Sequence, residues 1–142
     1  KGSIVVVSAG NNGNILFPDT LSNVIAVGMT DNNDNRVSGS PKGSELDVMA
    51  PTKVPATDLM GPAGDTFGNY VIDDPPGGTS YSAPHVAGLA GLMLSANSSL
   101  TQEQVRDFIQ YTAKDLGSPG WDKKYGWGRI NAKYAVETEN SL

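Results

Sequence analysis

The feature that most constrains this chain is a run of small and apolar residues at positions 77–91, which reads GGTSYSAPHVAGLAG. The two leading glycines favour a turn, and the residues that follow place apolar or small side chains on every side of a helix. A helix of that composition is typical of a protein interior, so we predict a buried helix whose first turn holds Ser80. Pro84 fits near such a helix start, where backbone N–H groups have no partner inside the helix.

Ser80 would lie at the amino end of this helix, where unpaired N–H groups and the positive end of the helix dipole meet. Two interpretations follow from the helix alone. Ser80 is an N-cap, which is a common role for serine, or it is a nucleophile beside a site that stabilises negative charge.

The whole string favours the nucleophile. GTSYSAPH resembles the nucleophile signature of the subtilisin-like serine proteases (subtilases), which usually reads GTSxxxPH. A second segment, SAGN at 8–11, follows a β-branched run and resembles the subtilase segment that donates a side-chain hydrogen bond to the oxyanion. The resemblance implies that Ser80 is the nucleophile and that Asn11 and the Ser80 N–H bind the oxyanion. It implies further contacts to substrate from Ser8, Ala9, Gly10 and Thr79.

Three apolar segments, at 4–7, 24–29 and 45–51, predict strands. The first two are continuous apolar runs, which are typical of parallel strands buried on both faces. With the helices, they place the chain in the α/β class. The resemblance implies a three-layer subtilisin-like fold with a mostly parallel sheet flanked by helices, of which residues 1–142 are the carboxyl-terminal half and form one partial catalytic domain.

Two further helices are predicted after the nucleophile helix. Thr101 and Gln104 have the spacing of a capping box, and the helix that they begin is expected to end near Lys114. Its buried face is formed by Val105, Phe108, Ile109 and Thr112. Asn131 is expected to cap a last short helix, and residues 136–142 are expected to form a frayed tail.

The stretch 52–76 is rich in glycine and proline and is predicted to be a loop, with a short hairpin near 67–71. It is longer than the subtilase pattern that it resembles, and Thr52 stands where that pattern has glycine. An aromatic cluster near the carboxyl end is predicted to close the core; its members are Trp121, Tyr125 and Trp127.

Glu45 and Asp47 are two positions apart on the third predicted strand and would share one face. Paired carboxylates can bind a hard cation such as calcium, and the resemblance implies a weak cation site here. The alternative is two solvated acids. No cofactor is expected for the chemistry, and a structural calcium or monovalent ion is left open.

A serine nucleophile needs a general base, and the only histidine is His85. Five residues along a helix from Ser80, it lies about 140° around and about 7.5 Å along the axis, so we predict a structural role for it. The resemblance implies that the base and its aspartate precede residue 1. The chain alone would then be inactive and would expose a bare apolar edge, unless the amino-terminal half, even as a separate chain, covers it.

Two other classes of protein compete with the serine protease prediction. A non-catalytic subtilase-like module, for binding or structure, stays open as an alternative. An α/β-hydrolase is disfavoured, because its GxSxG elbow would need glycine where this chain has Ser82.

Composition limits the partners. The net charge is −5 without a basic cluster, so nucleic acid is not expected. The absence of cysteine excludes disulfides and thiol catalysis. No apolar run approaches the roughly 20 residues of a membrane span, and no signal peptide is visible in the sequence. The expected partner is a polypeptide substrate, and the resemblance implies a secreted or cell-envelope location.

Overall fold

A three-stranded parallel sheet forms the centre of the computed structural model, which describes residues 2–15, 17–64, 70–71 and 77–139. Its strands are β1 (Val5–Ser8), β2 (Val24–Thr30) and β3 (Val48–Pro51), in the order β1-β2-β3. Because all three strands run in the same direction, their carboxyl ends lie along one edge of the sheet.

Three helices follow the sheet along the chain: α1 (Thr79–Ala96), α2 (Gln102–Tyr111) and α3 (Ala132–Glu139). Between β3 and α1, a two-residue strand β4 (Ala56–Thr57) pairs antiparallel with β5 (Tyr70–Val71), and Gly61–Ala63 form one turn of 3₁₀ helix. Of the hairpin predicted near 67–71, only the last two residues lie within the described chain. They pair with β4.

The main core lies between the sheet and the helices. Alternate residues of a strand point to opposite faces, so Ile25 and Val27 of β2 face the helices whereas Ala26 faces away. Side chains from all three helices pack on that first face, among them Val86, Leu89 and Met93 of α1, Val105 and Ile109 of α2, and Ala135 of α3. On the opposite face, Ala26 packs with loop residues such as Leu46 and Tyr125. The predicted α/β class, with a parallel sheet and packed helices, is confirmed.

Burial of β1 and α1 differs from the prediction. β1 has a strand partner on one side only in the described chain, and its Val5 is 40% exposed. The helix α1 buries the face that packs on the sheet, but Leu92 on its other face is 57% exposed. Ala87, Gly88 and Gly91 are exposed as well. The prediction of burial all round is therefore wrong for both elements, because the sheet covers only one face of the helix. The bare apolar edge expected for this chain is present.

The predicted helix starts are confirmed. The side chains and backbones of Thr101 and Gln104 bond each other reciprocally, and Asn131 Oδ1 accepts a hydrogen bond from Tyr134 N at 3.1 Å. The helix ends differ from those predicted. α2 ends at Tyr111 rather than near Lys114, and residues 136–139 are the last part of α3 rather than a frayed tail. Residues 140–142 of that predicted tail lie outside the described chain.

Candidate active site

Three segments meet at the amino end of α1, just before Ser80. They are the turn after β1, the end of β3 and the glycine pair at 77–78. Ser80 is the second residue of α1 and is exposed. Its backbone N–H therefore belongs to the first turn, whose N–H groups have no partner within the helix. This edge, outside the carboxyl ends of parallel strands, is where open α/β sheets usually bind ligands.

Asn11 is held against this helix start by its side-chain oxygen. Its Oδ1 accepts a hydrogen bond from the backbone N–H of Thr79 at 2.9 Å. With the oxygen fixed in this way, the two N–H donors of the amide are at Nδ2 on an exposed side chain. The structure therefore brings the Asn11 side chain to Thr79, the residue before Ser80, and its amide nitrogen takes no part in this bond.

Thr79 links the same helix start to the end of β1. Its hydroxyl lies 3.1 Å from Gly10 N, from which it accepts, and 3.2 Å from Gly10 O. Thr79 is fully buried, and so is Ala9, whose N–H donates to Val27 O at 3.0 Å. Ser8 and Gly10 are half-buried. Roles in substrate binding for Ser8, Ala9, Gly10 and Thr79 stay predictions, and the observed contacts of Thr79 are with protein groups.

The end of β3 holds the helix start from its other side. The Thr52 hydroxyl accepts from Gly78 N at 2.8 Å and donates to Gly78 O at 3.0 Å. Ser82, one turn into the helix, donates from Oγ to Pro51 O at 3.1 Å. Sequence reasoning missed both contacts. The one signal was that Thr52 replaces the glycine of the subtilase pattern.

His85 has the structural role predicted for it. Its Nδ1 lies 2.9 Å from the carbonyl oxygen of Tyr81 in the preceding turn, and since a carbonyl only accepts, Nδ1 is the donor.

Pro84 does not lie at the helix start, where the sequence analysis placed it. Because α1 begins at Thr79, this proline is the sixth helical residue, so the Ser80 carbonyl receives no helical hydrogen bond from it.

The pairing of Glu45 with Asp47 on one strand face is wrong, because β3 begins only at Val48. Glu45 lies in a turn and is exposed, whereas Asp47 is buried. Asp47 Oδ2 accepts from Ala26 N at 2.8 Å, and Oδ1 accepts from Arg106 Nη2 and from Gln110 Nε2, each at 2.7 Å. Protein donors thus occupy the carboxylate that was expected to bind a cation. Within the described chain, no group of three or more histidine, cysteine or acidic residues is arranged to hold a metal ion.

The aromatic cluster closes the core only in part. Tyr125 packs on the second face of the sheet, and Trp121 Nε1 donates to Leu46 O at 3.0 Å. Trp127 is 42% exposed, so its predicted place in the core is wrong.

Trp127 and Asp19 line a separate cleft of about 570 Å³, and burial raises the pKa of the Asp19 carboxyl group. The two signature segments meet at Thr79, beside Ser80, and neither Ser80 nor Asn11 lines this cleft. We therefore regard the Ser80 region as the candidate active site.

Comparisons with known proteins agree with this geometry. The sequence model of the subtilase family matches residues 1–128. Subtilisin BL of Lederbergia lenta is 38% identical over 139 residues, which are 96% of this chain and 47% of that protein. A subtilisin of Bacillus pumilus is 39% identical over 143 residues, covering 96% of this chain and 48% of that protein. The chain spans about half the length of these curated relatives.

Two solved structures share the fold. One belongs to the proteases of Pseudoalteromonas arctica PAMC 21717; it has a TM-score of 0.82 and 28% identity, covering 97% of this chain and 43% of that one. The other is fervidolysin from Fervidobacterium pennivorans, described as a keratinolytic enzyme related to subtilisin. Its TM-score is 0.83 at 26% identity, covering 96% of this chain and 22% of that one. Among the described residues, no helix has both the length and the apolar character needed to cross a membrane. The family match, the Ser80 signature and the fold agree, and this chain belongs to the subtilase family.

Proposed function

We propose that residues 1–142 supply the nucleophile and the oxyanion donors of a serine endopeptidase site. The observation that carries this proposal is the 2.9 Å hydrogen bond between Asn11 Oδ1 and Thr79 N. It joins the two signature segments, which are 68 residues apart in sequence, at the residue before Ser80. The alternative role of Ser80 as the N-cap is wrong, because Gly78 is the N-cap residue of α1 and Ser80 is the second helical residue.

In the proposed reaction, Ser80 Oγ attacks the carbonyl carbon of a peptide bond while a general base takes its proton. The negative charge that develops on the carbonyl oxygen is stabilised by the Ser80 N–H and by Asn11 Nδ2, in the positive field of the α1 amino end. The base then gives its proton to the departing amine, leaving an acyl-enzyme at Ser80. Water hydrolyses that ester by the same steps in reverse, so no cofactor takes part.

The general base is proposed to come from polypeptide outside residues 1–142. His85 is the only histidine in the sequence, and its Nδ1 is bonded to Tyr81 O. In subtilisins the triad follows the order Asp, His, Ser along the chain. The amino-terminal half of the catalytic domain, within one polypeptide or as a separate chain, is therefore the proposed partner. The open side of β1 and the exposed face of α1 offer it a surface.

A fluorophosphonate probe tests this function, because it labels only an activated serine. In the complete catalytic protein the probe should label Ser80, and Ser80→Ala should abolish both labelling and peptide cleavage. Ser95→Ala is the matched control, since Ser95 is an exposed serine of the same helix. Labelling that persists in Ser80→Ala would remove Ser80 from the mechanism.

The alternative, a non-catalytic subtilase-like module, has one observation in its favour: the only histidine of the sequence, His85, is bonded to the Tyr81 carbonyl. The same probe separates the two functions. Failure to label Ser80 in the complete protein, with the histidine segment present, would favour the binding or structural module. The secreted or cell-envelope location stays a prediction.

A further inference from the structure

One buried hydroxyl group fixes the residue that leads into the nucleophile helix. Thr52 Oγ1 accepts from Gly78 N at 2.8 Å and donates to Gly78 O at 3.0 Å. Thr52 is only 3% exposed and Gly78 is buried, so water does not replace these bonds readily. Since a hydroxyl both donates and accepts, a single side chain satisfies both backbone polar groups of Gly78 and so links the two peptide units that flank its Cα.

The conformation of Gly78 determines where Ser80 lies. Gly78 is the N-cap residue of α1, with φ of 153°, and no side chain of its own caps the helix. A Cβ built at Gly78 would lie 3.4 Å from both Asn11 Nδ2 and Asn11 Oδ1, so this residue is in contact with the oxyanion donor. A rotation at Gly78 would therefore move the Ser80 N–H relative to Asn11.

We propose that Thr52 is a positioning residue for Ser80, an inference that rests on the function proposed above. Thr79 holds the helix start to the end of β1 through Gly10 and Asn11. Thr52 holds it to the end of β3, so the nucleophile segment is fixed from two sides. The subtilase pattern has glycine at this position, which offers no hydroxyl, so this contact is a feature of the present chain rather than of that pattern.

The test removes the hydroxyl and keeps the shape. In the complete catalytic protein, Thr52→Val should lower kcat by about 10- to 100-fold and leave KM within about twofold, because misplacement of reacting groups acts on the chemical step. The rate of fluorophosphonate labelling should fall in parallel. Thr52→Ser retains the hydroxyl and should restore kcat to within about threefold of the parent.

Thr112→Val is the matched control. Thr112 is also buried; it follows the last residue of α2, and its hydroxyl donates to Phe108 O of that helix at 2.6 Å. This variant loses a hydroxyl hydrogen bond at the end of another helix, so its kcat should stay at the parental value. An equal fall in kcat for Thr112→Val and Thr52→Val would overturn the positioning role.

Hydrogen exchange gives a readout that does not depend on activity. The amide of Gly78 should exchange at least about tenfold faster in Thr52→Val than in the parent, whereas Thr52→Ser should keep it protected. A parental kcat in Thr52→Val overturns the proposal. So does loss of cooperative unfolding in both Thr52→Val and Thr52→Ala, which would show a general packing role. If the parent itself is not labelled at Ser80, the proposed function fails, and exchange at Gly78 still decides whether Thr52 fixes this turn.

Discussion

Asn11 is oriented by a neighbouring backbone group before any substrate binds. The Thr79 N–H donates to the side-chain oxygen, so the amide nitrogen is left for the donor role that we propose for it at Ser80. A donor that is fixed in advance needs no reorganisation when charge develops in the transition state. Its contribution should therefore fall on the chemical step rather than on substrate binding.

We predict that Asn11→Leu in the complete catalytic protein lowers kcat and changes KM little. The general magnitude for one lost oxyanion donor, which was itself measured on subtilisin, is roughly 100- to 1,000-fold in kcat. Steady-state kinetics on a peptide substrate provide the measurement. Asn12→Leu is the control, because Asn12 is the exposed neighbour in the same turn.

Asn11→Asp separates the donor from the acceptor. The carboxylate can still accept from Thr79 N–H, but it has no N–H to offer and places negative charge near the oxyanion. Asn11→Asp should therefore lower kcat at least as much as Asn11→Leu does. A rise in KM with an unchanged kcat in either variant would make Asn11 a ground-state binder.

At the residue scale, the sequence predicts the types that carry the chemistry but not all of their supports. Ser80 and Asn11 stand in recognisable strings, and the structure brings them together. The anchoring by Thr52 could not be predicted, because one hydroxyl in a loop-like stretch gives no sign of its partner. That partner, Gly78, is 26 residues away in sequence.

The packing of α2 depends on a buried charge. Asp47 bonds Arg106 and Gln110 of α2 and also the N–H of Ala26 in β2, so one carboxylate joins a helix to the sheet. The side chain of Asp47 is 6% exposed and that of Arg106 is 31% exposed. Arg106 Nη1 also donates to Ser22 O. Removal of the acid would leave the buried N–H of Ala26 without its acceptor and would release Arg106 and Gln110, which are partly exposed.

We predict that Asp47→Ala lowers the free energy of unfolding by about 1–3 kcal/mol, as expected when a buried hydrogen-bond donor, here the Ala26 N–H, loses its acceptor. Urea unfolding of the complete protein measures this difference. Lys133→Ala is the comparison, because its ion pair with Glu137 spans 3.9 Å between side chains that are 83% and 61% exposed. It should change stability by less than about 0.5 kcal/mol. Equal effects would show that Asp47 is not a link between elements.

The sequence predicted a strand or a helix correctly where the residues that specify it lie within that strand or at the start of that helix. The run at 24–29 became β2, and the capping box began α2. The third strand was predicted three residues too early, because Asp47 lies beside a strand and is held by tertiary bonds. The outer face of α1 could not be predicted either, since composition indicates a need for burial but does not say what covers each face.

The molecule as a whole exposes apolar surface on two adjoining elements. Val5 on β1 and Leu92 on α1 are 40% and 57% exposed, and the open side of β1 carries backbone groups without a strand partner in the described sheet. Such an edge favours pairing with another chain or aggregation. The proposed amino-terminal half would cover this surface.

We predict that residues 1–142 alone lack a cooperative thermal transition and do not hydrolyse peptides. Calorimetry and a peptide assay provide the measurements. Addition of the amino-terminal half should restore the cooperative transition and peptide hydrolysis. A monomeric sample with a sharp transition would contradict the folding part, and Ser80-dependent cleavage by that monomer would contradict the rest.

A charged substitution on the outer face of α1 tests whether this face contacts the amino-terminal half. Leu92→Asp should prevent this restoration, because it would place a charge in the new interface. Tyr111→Asp is the control: Tyr111 is 75% exposed, but it lies on α2. Equal restoration by both variants would show that the outer face of α1 is not the contact.

The hydrogen bonds that shape the Ser80 region also decide when it can form. Gly10 and Thr79 are 69 residues apart in sequence, and Thr52 and Gly78 are 26 apart. Closing loops of this length costs chain entropy, which the assembled sheet must first offset. The Ser80 region therefore takes its shape only once β1 and β3 have taken their places. If the proposed function holds, a half-folded chain would carry an unassembled site, and the same bonds that complete the site would delay cleavage until the sheet has formed.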